Sequence, residues 1–94
     1  MIYELAIHPE AEKEWGKLDG SIKLRFKEKL IKERFKNPRV VKDALRELPD
    51  CYKIKIVTPQ FRLIYHANDA KRLLTILSVT SRDDVYAELR TRLA

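Results

Sequence analysis

Lys53, Lys55 and Arg62 are the residues whose types and spacing point to chemistry. They lie in the stretch Asp50–Tyr65, DCYKIKIVTPQFRLIY, whose alternation can hold all three cations on one face of a hairpin while the opposite face is buried. Arg82 and Tyr86 join them if the C-terminal segment folds back beside the hairpin. Such a set offers several donors to phosphate oxygens and a phenol, with no carboxylate and no metal-ligand cluster, so no metal or other cofactor is expected. It suits phosphodiester chemistry in RNA. Attack by the substrate's own 2′-OH passes through a phosphorane whose extra negative charge fixed cations stabilise. A base must take the 2′ proton and an acid must protect the leaving 5′ oxygen. A lysine crowded by other cations has its ammonium form disfavoured, so Lys53 or Lys55 is a candidate base, while the arginines stay charged and act electrostatically. DNA, lacking a 2′-OH, would escape. The same cations could equally bind a phosphate without reacting.

Holding these residues in place requires a sheet. In Cys51–Val57 the odd positions hold Cys51, Lys53, Lys55 and Val57, and the even positions hold Tyr52, Ile54 and Ile56. A turn through Thr58–Phe61 would set Val57 opposite Arg62, Lys55 opposite Ile64 and Lys53 opposite His66, sending Tyr52, Ile54, Ile56, Leu63 and Tyr65 to the core. Asp69-Ala70 supports a tight turn into a third antiparallel strand, Leu73–Val79, with Leu74 and Ile76 facing helices and Leu77 and Val79 needing another cover. Val85, Leu89 and Leu93 recur at helical spacing, so Asp83–Leu93 reads as a short amphipathic helix over that outer face.

Upstream, Ile2–Ile7 alternates as a strand, and His8-Pro9 opens a helix whose early glutamates suit its dipole and which Asp19-Gly20 stops. Ser21 is the expected N-cap of a second helix reaching Lys36, ended by Asn37-Pro38. That helix has one apolar arc of Ile22, Phe26 and Leu30 and another of Leu24, Ile31 and Phe35; the second is expected to meet the first helix or a loop, or else to dock a partner chain. Its cations, Lys23, Arg25, Lys27, Lys29, Lys32, Arg34 and Lys36, read as a solvated face that adds to the field drawing a polyanion. The expected fold is α+β in the order β-α-α-β-β-β-α. Two N-terminal helices pack on one face of a small antiparallel-rich sheet, and a short C-terminal helix lies near the other.

Composition bounds the rest. Ninety-four residues, 45% of them hydrophobic, make one domain over residues 1–94. A net charge of +6 is the footprint of a protein that meets phosphate, nucleic acid or ribonucleoprotein above all. One cysteine excludes an internal disulfide framework. No apolar run approaches membrane-spanning length and Met1-Ile2-Tyr3-Glu4 lacks the basic start of a signal peptide, so a cytoplasmic protein without a membrane partner is expected.

The ordered run EWGKL, ALRELPDCYKIKI, FRLIY and SVTSRDDVY resembles the RelE family of type II toxins over nearly the whole chain. That resemblance implies an interferase that cuts messenger RNA in the ribosomal decoding site, leaves a 2′,3′-cyclic phosphate, and is silenced by a cognate RelB-like antitoxin; the implied partners are therefore antitoxin, ribosome and mRNA. By it, Lys53 and Lys55 match the family's two lysines, one implicated as general base and both in charge stabilisation. Arg62 matches the arginine that stabilises the transition state. Arg82 resembles a second arginine, linked to stabilising or protonating the leaving group, and Tyr86 a tyrosine that stacks on the substrate base. Lys53, Arg62, Arg82 and Tyr86 are thus also the expected substrate-binding residues. The step from Arg82 to Tyr86 is shorter than in the best-known members. The family's disordered antitoxin tail displaces the C-terminal helix, which agrees with an apolar, lightly anchored segment.

Two alternatives stand beside the ribonuclease: a ParE-like toxin of the same fold that poisons DNA gyrase, and an inactive basic scaffold that only binds antitoxin. Of the remaining residues, His66 is expected to be a strand surface residue more than a catalyst. His8 reads as a helix-start residue, Trp15 as core packing, and Cys51 as an inert thiol at a strand edge.

Overall fold

The computed structural model describes residues 3–82 and 84–93. Strand β1 (Glu4–Ile7) leads into helix α1 (Pro9–Gly16) and helix α2 (Gly20–Lys29), which a wide π-helical turn (Leu30–Arg34) prolongs. After a short 3-10 turn at Val41–Asp43 come β2 (Cys51–Ile56), β3 (Phe61–Asn68), β4 (Leu73–Thr80) and helix α3 (Tyr86–Leu93). This is the α+β order expected. The strands form one sheet, β1-β4-β3-β2, with β1 parallel to β4 and the other neighbours antiparallel. Ile2 of the expected first strand and Asp83 of the expected last helix lie outside the described residues.

Local chemistry sets the helix starts. The His8 ring accepts the Glu10 amide at 3.1 Å, and Pro9 follows where no partner for its nitrogen is needed. Helix α1 stops at Gly16, earlier than the Asp19-Gly20 signal suggested, because Asp19 serves the next helix instead. Its carboxylate accepts the Ser21 amide and hydroxyl, so Asp19, and not Ser21, is the N-cap of α2. A carboxylate there also suits the helix dipole, and the hydrogen bonds from the Ser21 hydroxyl first and the Ser21 amide second hold the Asp19 acid below the ordinary carboxylate range.

Ile22, Phe26 and Leu30 pack onto the inner face of the sheet, against Ile54, Leu63, Tyr65, Leu74 and Ile76. The second arc of α2 does not behave as one unit: Phe35 turns into the core, while Leu24 and Ile31 stay 56% and 60% exposed. Arg34, grouped by sequence with the solvated cations, is buried to 4% exposure. Arg34 falls four residues after Leu30 and so continues the buried row of Ile22, Phe26 and Leu30; the helix widens there, Phe35 donating to the Leu30 carbonyl five residues back.

The hairpin keeps the expected faces but not the expected register. Ile56 pairs with Phe61, Lys55 with Arg62, Lys53 with Ile64 and Cys51 with His66, a slip of two residues from the anticipated pairing. The turn occupies Val57–Gln60, one residue earlier, because Phe61 is worth more against the core beside Ile56 than in a loop. An even slip preserves sidedness, so every cation stays outward. An irregularity between Ile64 and Tyr65 shifts the β3–β4 register. Its consequence overturns the alternation expected of β4: Leu77 faces outward as predicted, but Val79 falls in with Leu63 on the inner face.

Candidate active site

Lys53 and Lys55 project from β2, and Arg62 from β3, on the face turned away from α1 and α2. Lys55 and Arg62 stand directly opposite each other, a like-charge pairing that costs folding stability and makes sense as a seat for an anion. Lys53 lies one outward position further along, beside Ile64.

Helix α3 completes the site. Leu89 and Val85 pack with Leu48, Cys51, Ile64 and Leu77 into a second, smaller cluster on this outer face. Between that cluster and the cations is a cavity of about 140 Å³, lined by Leu45, Lys53, Arg62, Ile64, Val85, Tyr86 and Leu89. That leaves room for a phosphate group. A base attached to that phosphate would have to lie at the mouth, where half-buried Tyr86 offers a ring. Lys53, Arg62 and Tyr86 therefore meet at one cavity. Lys55 is not among the lining residues; it is exposed and stands opposite Arg62 on the neighbouring strand.

Arg82 is placed differently. It follows the end of β4, whose Thr80 pairs with Arg62, and its amide donates to the Thr80 hydroxyl at 3.1 Å. Its guanidinium turns to Glu88 of α3 at 2.7 Å, so a substrate phosphate would have to exchange with that carboxylate. Nothing in the sequence spacing marked Glu88 as its counter-ion. His66 pairs with Cys51 and Thr75, away from the cavity lining. The Cys51 thiol is 1% exposed, and burial, with the nearby Asp50 charge second, pushes it up to about 11.

Helix α3 is also held more firmly than its sequence suggested. Arg92 grips Glu14 of α1 through both carboxylate oxygens, at 3.0 and 3.1 Å, and donates to the Leu77 carbonyl at 2.6 Å. Arg90 pairs with Glu47 at 2.9 Å. Both partners lie far away in sequence, where no local pattern marks them.

A mixed sheet with a cationic hairpin closed by a C-terminal helix is the build of a small type II toxin, and residues 5–86 match the family described as the ParE toxin of the type II toxin–antitoxin system parDE. The chain is 38% identical over 95 residues to the mRNA interferase toxin RelE of Escherichia coli K12, covering 99% of both, and equally to the mRNA interferase RelE of Shigella flexneri. A substituted form of E. coli RelE in the free state superposes with a TM-score of 0.91 at 36% identity, over 100% of both chains. A chain of the intact E. coli RelBE toxin–antitoxin complex gives 0.82 at 37% identity, over 86% of this chain and 98% of that one. This protein belongs to the RelE/ParE family of type II toxins.

Proposed function

We propose that the chain is an mRNA interferase: an endoribonuclease that cuts messenger RNA in the ribosomal A site by attack of the 2′-OH, stops translation, and is neutralised by a RelB-like antitoxin in the cytoplasm. The observation that carries this reading is the single cavity shared by Lys53, Arg62 and Tyr86, in a chain similar over its full length to RelE. Arg62, fixed by strands on both sides, stabilises the phosphorane. Lys53 or Lys55 takes the 2′ proton. Arg82, released from Glu88, meets the leaving oxygen, and Tyr86 receives the base at the cavity mouth.

The family description names the ParE system, so gyrase poisoning is the second reading. A gyrase poison has no use for cations aimed at a phosphate-sized cavity, which favours the ribonuclease. The test mixes the protein with programmed ribosomes and, separately, with naked transcript, and maps the new RNA ends. Ribosome-bound message should be cut and naked transcript spared, because the site lacks a histidine pair to work unaided. Arg62→Ala should lower the single-turnover rate by roughly 10²-fold, the usual consequence of removing one preorganised charge-stabilising group. No cleavage of either RNA, with gyrase supercoiling inhibited, would transfer the protein to the second reading.

A further inference from the structure

We infer that Arg34 is a positioning residue of the ribonuclease site, holding the backbone of Lys53 in the attitude that aims its side chain into the cavity; the inference rests on the ribonuclease reading above. Strand β2 is an edge of the sheet, so alternate peptide groups along it have no neighbouring strand. The Cys51 carbonyl is satisfied by the Leu45 amide at 2.9 Å. At the next such position, Lys53, the partner is the Arg34 guanidinium, whose Nη1 donates to the carbonyl at 3.2 Å. The same nitrogen donates to the Tyr65 hydroxyl at 3.1 Å, and Nη2 donates to Asp43 at 2.7 Å. The Tyr65 hydroxyl in turn donates to the Pro38 carbonyl. Three elements distant in sequence thus converge on one planar fork, and the strand residue in its grip is the lysine that lines the cavity.

Two features argue that this grip serves the site more than the fold. First, stability alone does not require an arginine. A buried ion pair repays its desolvation poorly, and replacing both of its partners together by apolar side chains commonly costs little. Second, Arg34 lies within the π-helical turn Leu30–Arg34, an irregularity less favourable than continued α-helix and frequent near functional sites. The fold accepts it and gains a rigid donor over the edge strand. A second arginine of α2 acts alike: Arg25 donates to the Thr58 carbonyl at 2.7 Å, so helix-borne guanidinium groups hold the backbone at both ends of the segment that carries Lys53 and Lys55.

The experiment compares Arg34→Met, Tyr65→Phe and wild type for single-turnover cleavage of message on programmed ribosomes, each rate expressed per folded molecule. Arg34→Met frees the Lys53 carbonyl, whereas Tyr65→Phe removes a hydroxyl of the same network and leaves the carbonyl held. The expected result is a fall of about tenfold or more in kcat for Arg34→Met with KM within twofold, the scale of a slightly misplaced catalytic group, and kcat within twofold of wild type for Tyr65→Phe. Should Arg34→Met fail to fold, Asp43→Ala, which unsettles the guanidinium from its other side, is expected to lower kcat at least threefold. An unchanged kcat in the folded variant, or an equal fall in Tyr65→Phe, overturns the assignment while leaving the ribonuclease reading intact. A wild-type protein that cuts no ribosome-bound message overturns both.

Discussion

The two faces of the sheet are built from adjacent residues of the same strands yet do different work. On the inner face Tyr65, Leu63, Ile54, Leu74 and Val79 meet Phe26 and Leu30 in a continuous core under two helices. On the outer face the apolar cluster is small, covered by α3 and the connector before β2, and it gives way to Lys53, Lys55 and Arg62. The irregularity at Ile64/Tyr65 helps create this asymmetry. It sends Val79 inward and sets Ser78 opposite Ile64 and Thr80 opposite Arg62 on the outer side. The lesson is a division of labour. One face is finished so that the other can stay partly open, with like charges opposed.

If that division is right, cavities on the two faces should differ in how far their effects spread. Phe26→Ala on the inner side should cost about 3–5 kcal/mol, most of the stability expected of a domain this size, and urea titration should show the whole molecule losing cooperativity together. Leu89→Ala on the outer side should cost less, about 2–3 kcal/mol, because α3 can shift toward the gap. Amide exchange then separates the faces: Leu89→Ala should speed exchange in α3 and leave β3 and β4 protected. Global exchange in Leu89→Ala would break the comparison, since the outer cluster would then be a full partner in the core.

Those same faces explain what the sequence could tell. Period-2 alternation placed Lys53, Lys55 and Arg62 outward, and it did so despite a two-residue error in register, because sidedness depends only on parity. Wherever the period itself breaks, the reading failed. Val79 changed sides at the β4 irregularity, which has no residue signature in its own neighbourhood; Arg34, four residues after Leu30, continues the buried helix row, but its charge argued for solvent. Long-range ion pairs were equally invisible. Glu14 and Arg92 are far apart in sequence, and no local pattern says that one will clasp the other. The cap of α2 was misread for a local reason: Ser21 is itself a favoured cap residue, but its hydroxyl and amide both donate to Asp19, which takes the role.

The smallest expected effect reads the outer face directly. Cys51 lies in its cluster, 1% exposed, with its thiol pushed from an ordinary value of 9.0 up to about 11 by burial. The native state therefore holds the thiol proton more tightly than the unfolded chain does. By linkage, the stabilisation from the buried neutral thiol is fully present below pH 9.0 and is lost as pH rises toward about 11. A melting-temperature profile should slope down across that window, and Cys51→Ala should flatten the slope. The thiolate is the reactive form, so a thiol reagent at pH 8 should label native protein slowly and urea-unfolded protein fast. Leu89→Ala should accelerate native labelling by opening the cluster, while a conservative inner substitution such as Ile76→Val should leave it nearly unchanged. Equal acceleration by both would mean that Cys51 is reached only through global unfolding, and the two faces would then be one cooperative unit.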